Sequence, residues 1–233
     1  MSYVITTPGR NSNTGNRNCK EDSYYGTGRS GSFAWNATST SDPDVRSVTV
    51  IAKDCPMIFA KVVGVLSLND FDITDARSYR QNSSTLSAFK VKALPVPGTG
   101  EERLHRAEQH LKGVLNGTVN LPVSLRKKIS ARTVGNPKPA TRKPLDAEVD
   151  NESSFLFTLV EVKADDFPGV LFTVTDAILK CDLDIWNAKI TTANGRICDT
   201  FYVKTLAGQK IGSGEEAARI RAKLRNSYNM LTY

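Results

Sequence analysis

The 233-residue sequence predicts an α+β protein made of two copies of one strand, helix, strand, strand, helix unit. Three observations carry this. Set against itself at a constant offset of 112 without a gap, the stretch 48–94 matches 160–206 at 15 of 47 positions, a register that chance does not produce. Both copies run from an apolar stretch through Asp-x-Pro into apolar residues three and four apart, the mark of a strand followed by an amphipathic helix. Each then ends in a strand of strict alternation, where Phe89 and Val91 oppose Lys90 and Lys92, and Phe201 and Val203 oppose Tyr202 and Lys204.

The elements follow in order. SVTVIA from Ser47 and FTLVEV from Phe157 read as buried first strands. The helix stripes are Ile58, Phe59, Val62, Val65, Leu66 and Val170, Leu171, Val174, Ala177, Ile178, with Pro56 and Pro168 at a helix start, where a fixed φ helps and no N–H is missed. Two strands turn at Asn82-Ser83 and Asn194-Gly195. A second helix closes each copy, with Leu104, Ala107, Leu111, Leu115 and then Ala217, Ile220, Leu224 inward. The ferredoxin-like βαββαβ arrangement requires one more strand per copy. For the first copy the candidate is 145–150; for the second only Asn229-Met230-Leu231-Thr232-Tyr233 remains, a poor strand, so its sheet edge is expected bare or covered by a partner or by upstream chain.

The domain reading is therefore a disordered low-complexity tail over 1–45, a first unit over 46–116, a basic proline-containing linker over 117–144, a returning strand at 145–150 and a second unit over 154–228. Gly, Ser, Thr, Asn and Pro make up 25 of the first 45 residues, too little apolar surface to offset ordering entropy. The formal charge is +7, and the stretch 118–143 alone holds seven basic residues (Arg126, Lys127, Lys128, Arg132, Lys138, Arg142, Lys143) and no acid. Such a tract is most simply a solvated spacer. No stretch is apolar enough to span a membrane and no signal-peptide core opens the chain, so a cytoplasmic protein without membrane contact is expected. Cys19, Cys55, Cys181 and Cys198 include no CxxC pair, and His105 and His110 sit about 140° apart on a helix, so no metal site is expected.

Beyond these patterns, Asp166-Phe167-Pro168-Gly169-Val170-Leu171, then DIWNAKITT and DTFYVKTLAGQKI, resemble an ACT domain. More narrowly, the second copy resembles the last ACT domain, and the first copy the penultimate one, of the PII uridylyltransferase family, a likeness covering about 46–224. It implies two tandem ACT domains in nitrogen-status signalling, allosteric regulation by glutamine or another amino acid, pairing between ACT units or a homo-oligomer, and the PII signal protein as a partner. The resembled parent is a nucleotidyltransferase that uses Mg. No catalytic residue and no cofactor are expected in this chain, because 45 polar residues cannot supply that domain and no His-Asp dipeptide marks its hydrolase half. Gly31-Ser32 followed by Asp42-Pro43-Asp44 only echoes the metal-binding pattern, and the literal GxGxxG at 26–31 lacks the flanking strand and helix.

The residues themselves allow an amino-acid site in the second copy. A helix start offers unpaired N–H groups to an α-carboxylate, Gly169 lets a ligand reach the backbone, Asp166 can pair with an α-ammonium, and Asn187 matches an amide. Pro168, Val170 and Leu171 complete the set. Equally, Asp166 can merely cap the helix. In the first copy Asp54, Met57 and Asp75 stand at the matching positions, and a Met57 side chain in place of glycine weakens or closes that site. Two rival functions remain, an assembly module that binds no ligand and an RNA-binding sheet; the third strands lack the spaced aromatics of the latter, so nucleic acid is not the expected partner.

Overall fold

The structure is a computed structural model that describes residues 32–53, 55, 57–133, 142–167, 169–212 and 214–232. It is α+β: one eight-stranded antiparallel sheet with five helices among the described residues. The first half comprises β1 (Ser32–Ser39), β2 (Val45–Lys53), α1 (Ile58–Leu68), β3 (Phe71–Gln81), β4 (Ser84–Ala93), α2 (Gly100–Leu115) and α3 (Leu121–Thr133). The second comprises β5 (Asp146–Asp150), β6 (Thr158–Asp165), α4 (Val170–Leu179), β7 (Leu183–Ala193), β8 (Arg196–Thr205) and α5 (Gly214–Thr232). Their order across the sheet is β1-β2-β4-β3-β7-β8-β6-β5, so the halves meet at β3 and β7.

The repeat seen in the sequence is also a repeat of backbone exceptions. Positive φ recurs 112 residues apart at Met57 and Gly169, at Asp70 and Asp182, and at Asn82 and Asn194. The register shift between Ile73 and Asp75 recurs between Ile185 and Asn187. Across the seam Arg77 faces its own equivalent Lys189, while Asp75 faces Thr191 and Tyr79 faces Asn187. Each half therefore offers the other the same edge, as in a two-fold dimer folded into one chain.

Alternation decides where the core lies. On β4 Thr85, Ser87, Phe89 and Val91 are buried while Leu86, Ala88 and Lys90 are exposed, so helices cover one face of the sheet and leave the other wet. Phe59 stacks on Phe89 at 5.4 Å, and α2 begins with a reciprocal capping pair between Thr99 and Glu102. Helices α1 and α4 pack together at the seam, where Gly64 matters: a Cβ there would sit 2.6 Å from Leu121 Cδ2 and 3.0 Å from Phe172. Gly64→Val is accordingly expected to destabilise the fold by about 1–3 kcal/mol through overpacking, read as a lower urea midpoint at unchanged slope.

Three expectations are corrected. Within the supposed tail, Ser32–Ser39 is an edge strand paired along its whole length with β2, because Phe33 and Trp35 alternate inward onto the core. Residues 145–150 do not return to the first unit: β5 pairs with β6 and closes the second. Both halves thus take their outer strand from upstream chain, which departs from the expected βαββαβ order and covers the edge that the sequence left bare. The basic segment is no spacer throughout, since Leu121–Thr133 is helical. Asn120 accepts the Val123 N–H at 3.2 Å, Leu121 and Leu125 are buried one turn apart, and Lys128 Nζ lies 2.7 Å from Asp70. Lys138 and the motif at 26–31 lie outside the described residues. Asp42, part of the metal-binding echo, accepts the Asp44 N–H at 2.9 Å in the β1–β2 turn.

Candidate functional site

The loop between β6 and α4 and the start of β3 from the other half form a cleft of about 170 Å³. That is more than ten times the space one water needs on the same measure, and of the order of a small organic ligand. Asp166, Phe167, Gly169, Val170 and Leu171 line one side; Phe71, Asp72 and Ile73 line another; Ile190, Thr192, Ile197 and Asp199 of β7 and β8 line the floor. The site lies between the two halves, not inside one.

Local geometry explains the mouth. Asp166 N–H donates to the Gly195 carbonyl at 2.9 Å and Val170 N–H to the Phe167 carbonyl at 3.0 Å, pinning the loop at both ends. Gly169 takes φ 95° and begins α4 with no side-chain cap, so the helix start faces the cleft. Behind it, Ile129 Cδ1 of α3 lies 3.3 Å from where a Cβ would stand. The guanidinium of Arg142 lies 3.9 Å from the Phe167 ring, which also packs on Tyr228 at 5.7 Å, so the returning basic chain buttresses the loop.

The electrostatics are one-sided. Asp72, Asp166 and Asp199 converge, and among the described residues lining the cleft there is no Lys, Arg or His. Burial raises the Asp166 carboxyl and the nearby Asp72 raises it further. Burial also raises Asp72, partly opposed by the Ile73 N–H and by Lys92. Asp199 is 1% exposed; one carboxyl oxygen accepts the Thr191 N–H at 3.0 Å and the other, Oδ2, has no hydrogen-bond partner. Burial pushes it up to about 7.

Among the described residues, the equivalent positions of the first half are occupied by side chains instead. Met57 occupies the place of Gly169, holds φ 60° and is buried. Asp184, equivalent to Asp72, accepts the Met57 backbone N–H and pairs with Arg80, which also lies 5.1 Å over Trp186. Arg80 corresponds to Thr192 of the open cleft. Burial nonetheless leaves Asp184 raised, outweighing Arg80. The closed site holds an apolar side chain and a guanidinium of its own.

Most of the expected residues do converge here: Asp166, Gly169, Val170 and Leu171 line the cleft. Asn187 does not. It follows the β7 irregularity and is out of phase with Ala188 and Ile190, which are buried under the helices, so it belongs to the wet face. Asp75 is likewise outward, paired with Lys90 at 3.5 Å and more loosely with Arg77 at 4.0 Å. Asp54 and Pro168 lie outside the described residues. Asp72, Thr192 and Asp199 were missed, although Asp199 shares the inward phase of Phe201 and Val203, and a carboxylate in that phase was the available signal. Among the described residues no group of His, Cys, Asp or Glu is arranged to hold a metal ion, and no helix is long and apolar enough to cross a membrane.

Comparison with known proteins supplies the kinship. No family model matches the chain. The bifunctional uridylyltransferase/uridylyl-removing enzyme of Rhodospirillum rubrum is 32% identical over 187 residues, covering 78% of this chain and 20% of that enzyme. Those of Ruegeria pomeroyi and Gluconobacter oxydans are 31% and 32% identical over 80% and 77% of this chain. The chain spans about a fifth of the length of these relatives. Among solved structures, a fused permuted hexameric shell protein of the RMM microcompartment, MSM0275, aligns over 93% of both chains at 10% identity and a TM-score of 0.30, a likeness too distant to carry weight.

Proposed function

We propose, from the premise that this chain is a relative of the bifunctional uridylyltransferase/uridylyl-removing enzymes over one segment of their length, that it is a regulatory pair of ACT units sensing a free amino acid, glutamine first. In this reading the cleft at Gly169 binds the ligand between the halves, and occupancy reports nitrogen sufficiency to a cytoplasmic catalytic portion acting on the PII signal protein. The observation that carries it is the asymmetry of two equivalent mouths, one glycine-lined and open, the other filled by Met57. A duplicated scaffold that needed only to pack would have no use for the difference.

Isothermal titration with glutamine, glutamate and the other amino acids tests this directly. Saturable heat with glutamine or another amino acid is expected. Gly169→Met, which copies the sister residue into the same left-handed backbone region, is expected to weaken binding at least about tenfold by filling the approach. Backbone strain should cost about 1–3 kcal/mol of stability, since Met57 holds a left-handed backbone at the matching position, and the new Cβ, 3.3 Å from Ile129 Cδ1, requires that side chain to shift slightly. No heat and no thermal stabilisation with any amino acid would leave the pair as an assembly module alone.

A further inference from the structure

We propose that the ligand of the open cleft supplies a free ammonium group, seated among Asp72, Asp166 and Asp199, in the role that Arg80 fills in the sister site. Three independent features converge on this. First, Asp199 lines the cleft and its Oδ2 is buried without a hydrogen-bond partner, a state that costs free energy until a donor reaches it. Second, carboxylates from β3, the α4 loop and β8 line the same 170 Å³ while none of the described lining residues is basic. Third, the closed site shows how this scaffold neutralises the equivalent carboxylate: Arg80 pairs with Asp184, and Thr192 at the matching position of the open cleft is uncharged. The open cleft thus differs from its sister in lacking the internal cation and the Met57 side chain, and in adding a carboxylate, Asp199, where the sister has Ser87 hydrogen-bonded to Ser78.

The charged group acting on Asp199 is Asp166 from the loop; Asp72 from β3 lines the same cleft and acts on Asp166, with Lys92 opposite it on β4. Near neutral pH Asp199 is poised between its two forms, held up to about 7 by burial. An arriving ammonium favours the carboxylate, so binding should release protons to solvent and tighten as pH rises from 6 to 8. The identity of the remainder of the ligand rests on the amino-acid reading above; the cation does not.

The probes are L-glutamine, L-arginine, N-acetyl-L-glutamine and putrescine, titrated calorimetrically in phosphate and in Tris so that proton release appears as a buffer-dependent heat. Free amino acids are expected to bind, and blocking the amino group to weaken binding at least about tenfold, the scale of a charge-assisted hydrogen bond. Asp199→Asn is expected to weaken binding similarly and to abolish proton release. Thr192→Arg, which restores the sister's guanidinium, should abolish binding while leaving the chain folded. Equal affinity for L-glutamine and N-acetyl-L-glutamine would overturn the ammonium proposal and leave amino-acid sensing standing. Binding of putrescine alone, sensitive to Thr192→Arg, would uphold the cation site and overturn amino-acid sensing. No binding by any probe would overturn both.

Discussion

Arg80→Ala is expected to destabilise the protein by about 2–4 kcal/mol, because it strips the partner from a carboxylate that is nearly buried. Arg80 and Asp184 join the two halves, from β3 to β7, and their side chains are only 23% and 10% exposed. The guanidinium also covers the Trp186 ring. Without it Asp184 retains the Met57 and Ile185 N–H groups and the longer-range attraction of the buried Lys61, but loses the cation in direct contact with it. Adding Asp184→Asn should return most of the loss, since the double change removes both charges together. The sign with pH is fixed by burial: a carboxyl raised in the folded state binds its proton more tightly there than in the unfolded chain, so the deficit of Arg80→Ala should grow as pH rises above the unfolded carboxylate value and shrink in acid. Urea denaturation at pH 5 and pH 8 measures it. A variant within about 0.5 kcal/mol of the parent at both pH values would mean that the closed site is held by Met57 packing alone.

Asp199→Asn should act in the opposite direction. Asp199 titrates near 3.8 when unfolded and is raised to about 7 in the fold. Between those values the unfolded chain gives up the proton and the folded chain keeps it, so stability falls with rising pH across that window. That difference sets a ceiling of about 4 kcal/mol on the effect. Asparagine keeps an acceptor for the Thr191 N–H and carries no charge, so it escapes this cost. The variant is expected to melt about 5 °C or more above the parent at pH 8, with the difference vanishing near pH 4. A ligand-binding carboxylate that weakens the unliganded fold is the pattern expected where stability has been traded for recognition. Loss of stability at pH 8 would assign Asp199 a structural role instead.

What the sequence showed and what it hid both have physical reasons. The repeat was plain because the special positions of the unit recur at one spacing: Met57 and Gly169 at the helix mouth, Asp70 and Asp182 after the helix, Asn82 and Asn194 in the hairpin. The mouth residues Asp166 and Gly169 were legible because helix starts have local chemistry. Non-local pairing was not. β1 was lost in the average composition of a polar segment, although Phe33 and Trp35 alternate, and the partner of β5 depends on which sheet edge lies within reach. Helix α3 was masked by its charge, yet Asn120 with Leu121 and Leu125 spells a capped apolar stripe. Asn187 was misplaced by one residue of irregularity in β7, which moves every later side chain to the other face. Asp72 reaches the second site only because β3 and β7 meet, a fact no single unit contains.

The duplicated edge also makes stoichiometry informative. Two equivalent mouths flank one seam, and they differ in a glycine against a methionine, a threonine against an arginine, and a buried carboxylate at Asp199 against Ser87, whose hydroxyl is already paired with Ser78. The number of amino-acid molecules bound per chain therefore reads out the asymmetry itself, whatever the ligand's identity. Calorimetric titration of the parent protein with L-glutamine should give one site per chain, lost in Thr192→Arg. Two sites per chain, or one that survives Thr192→Arg and vanishes when Met57 is changed, would contradict the assignment of an open second-half cleft and a closed first-half one.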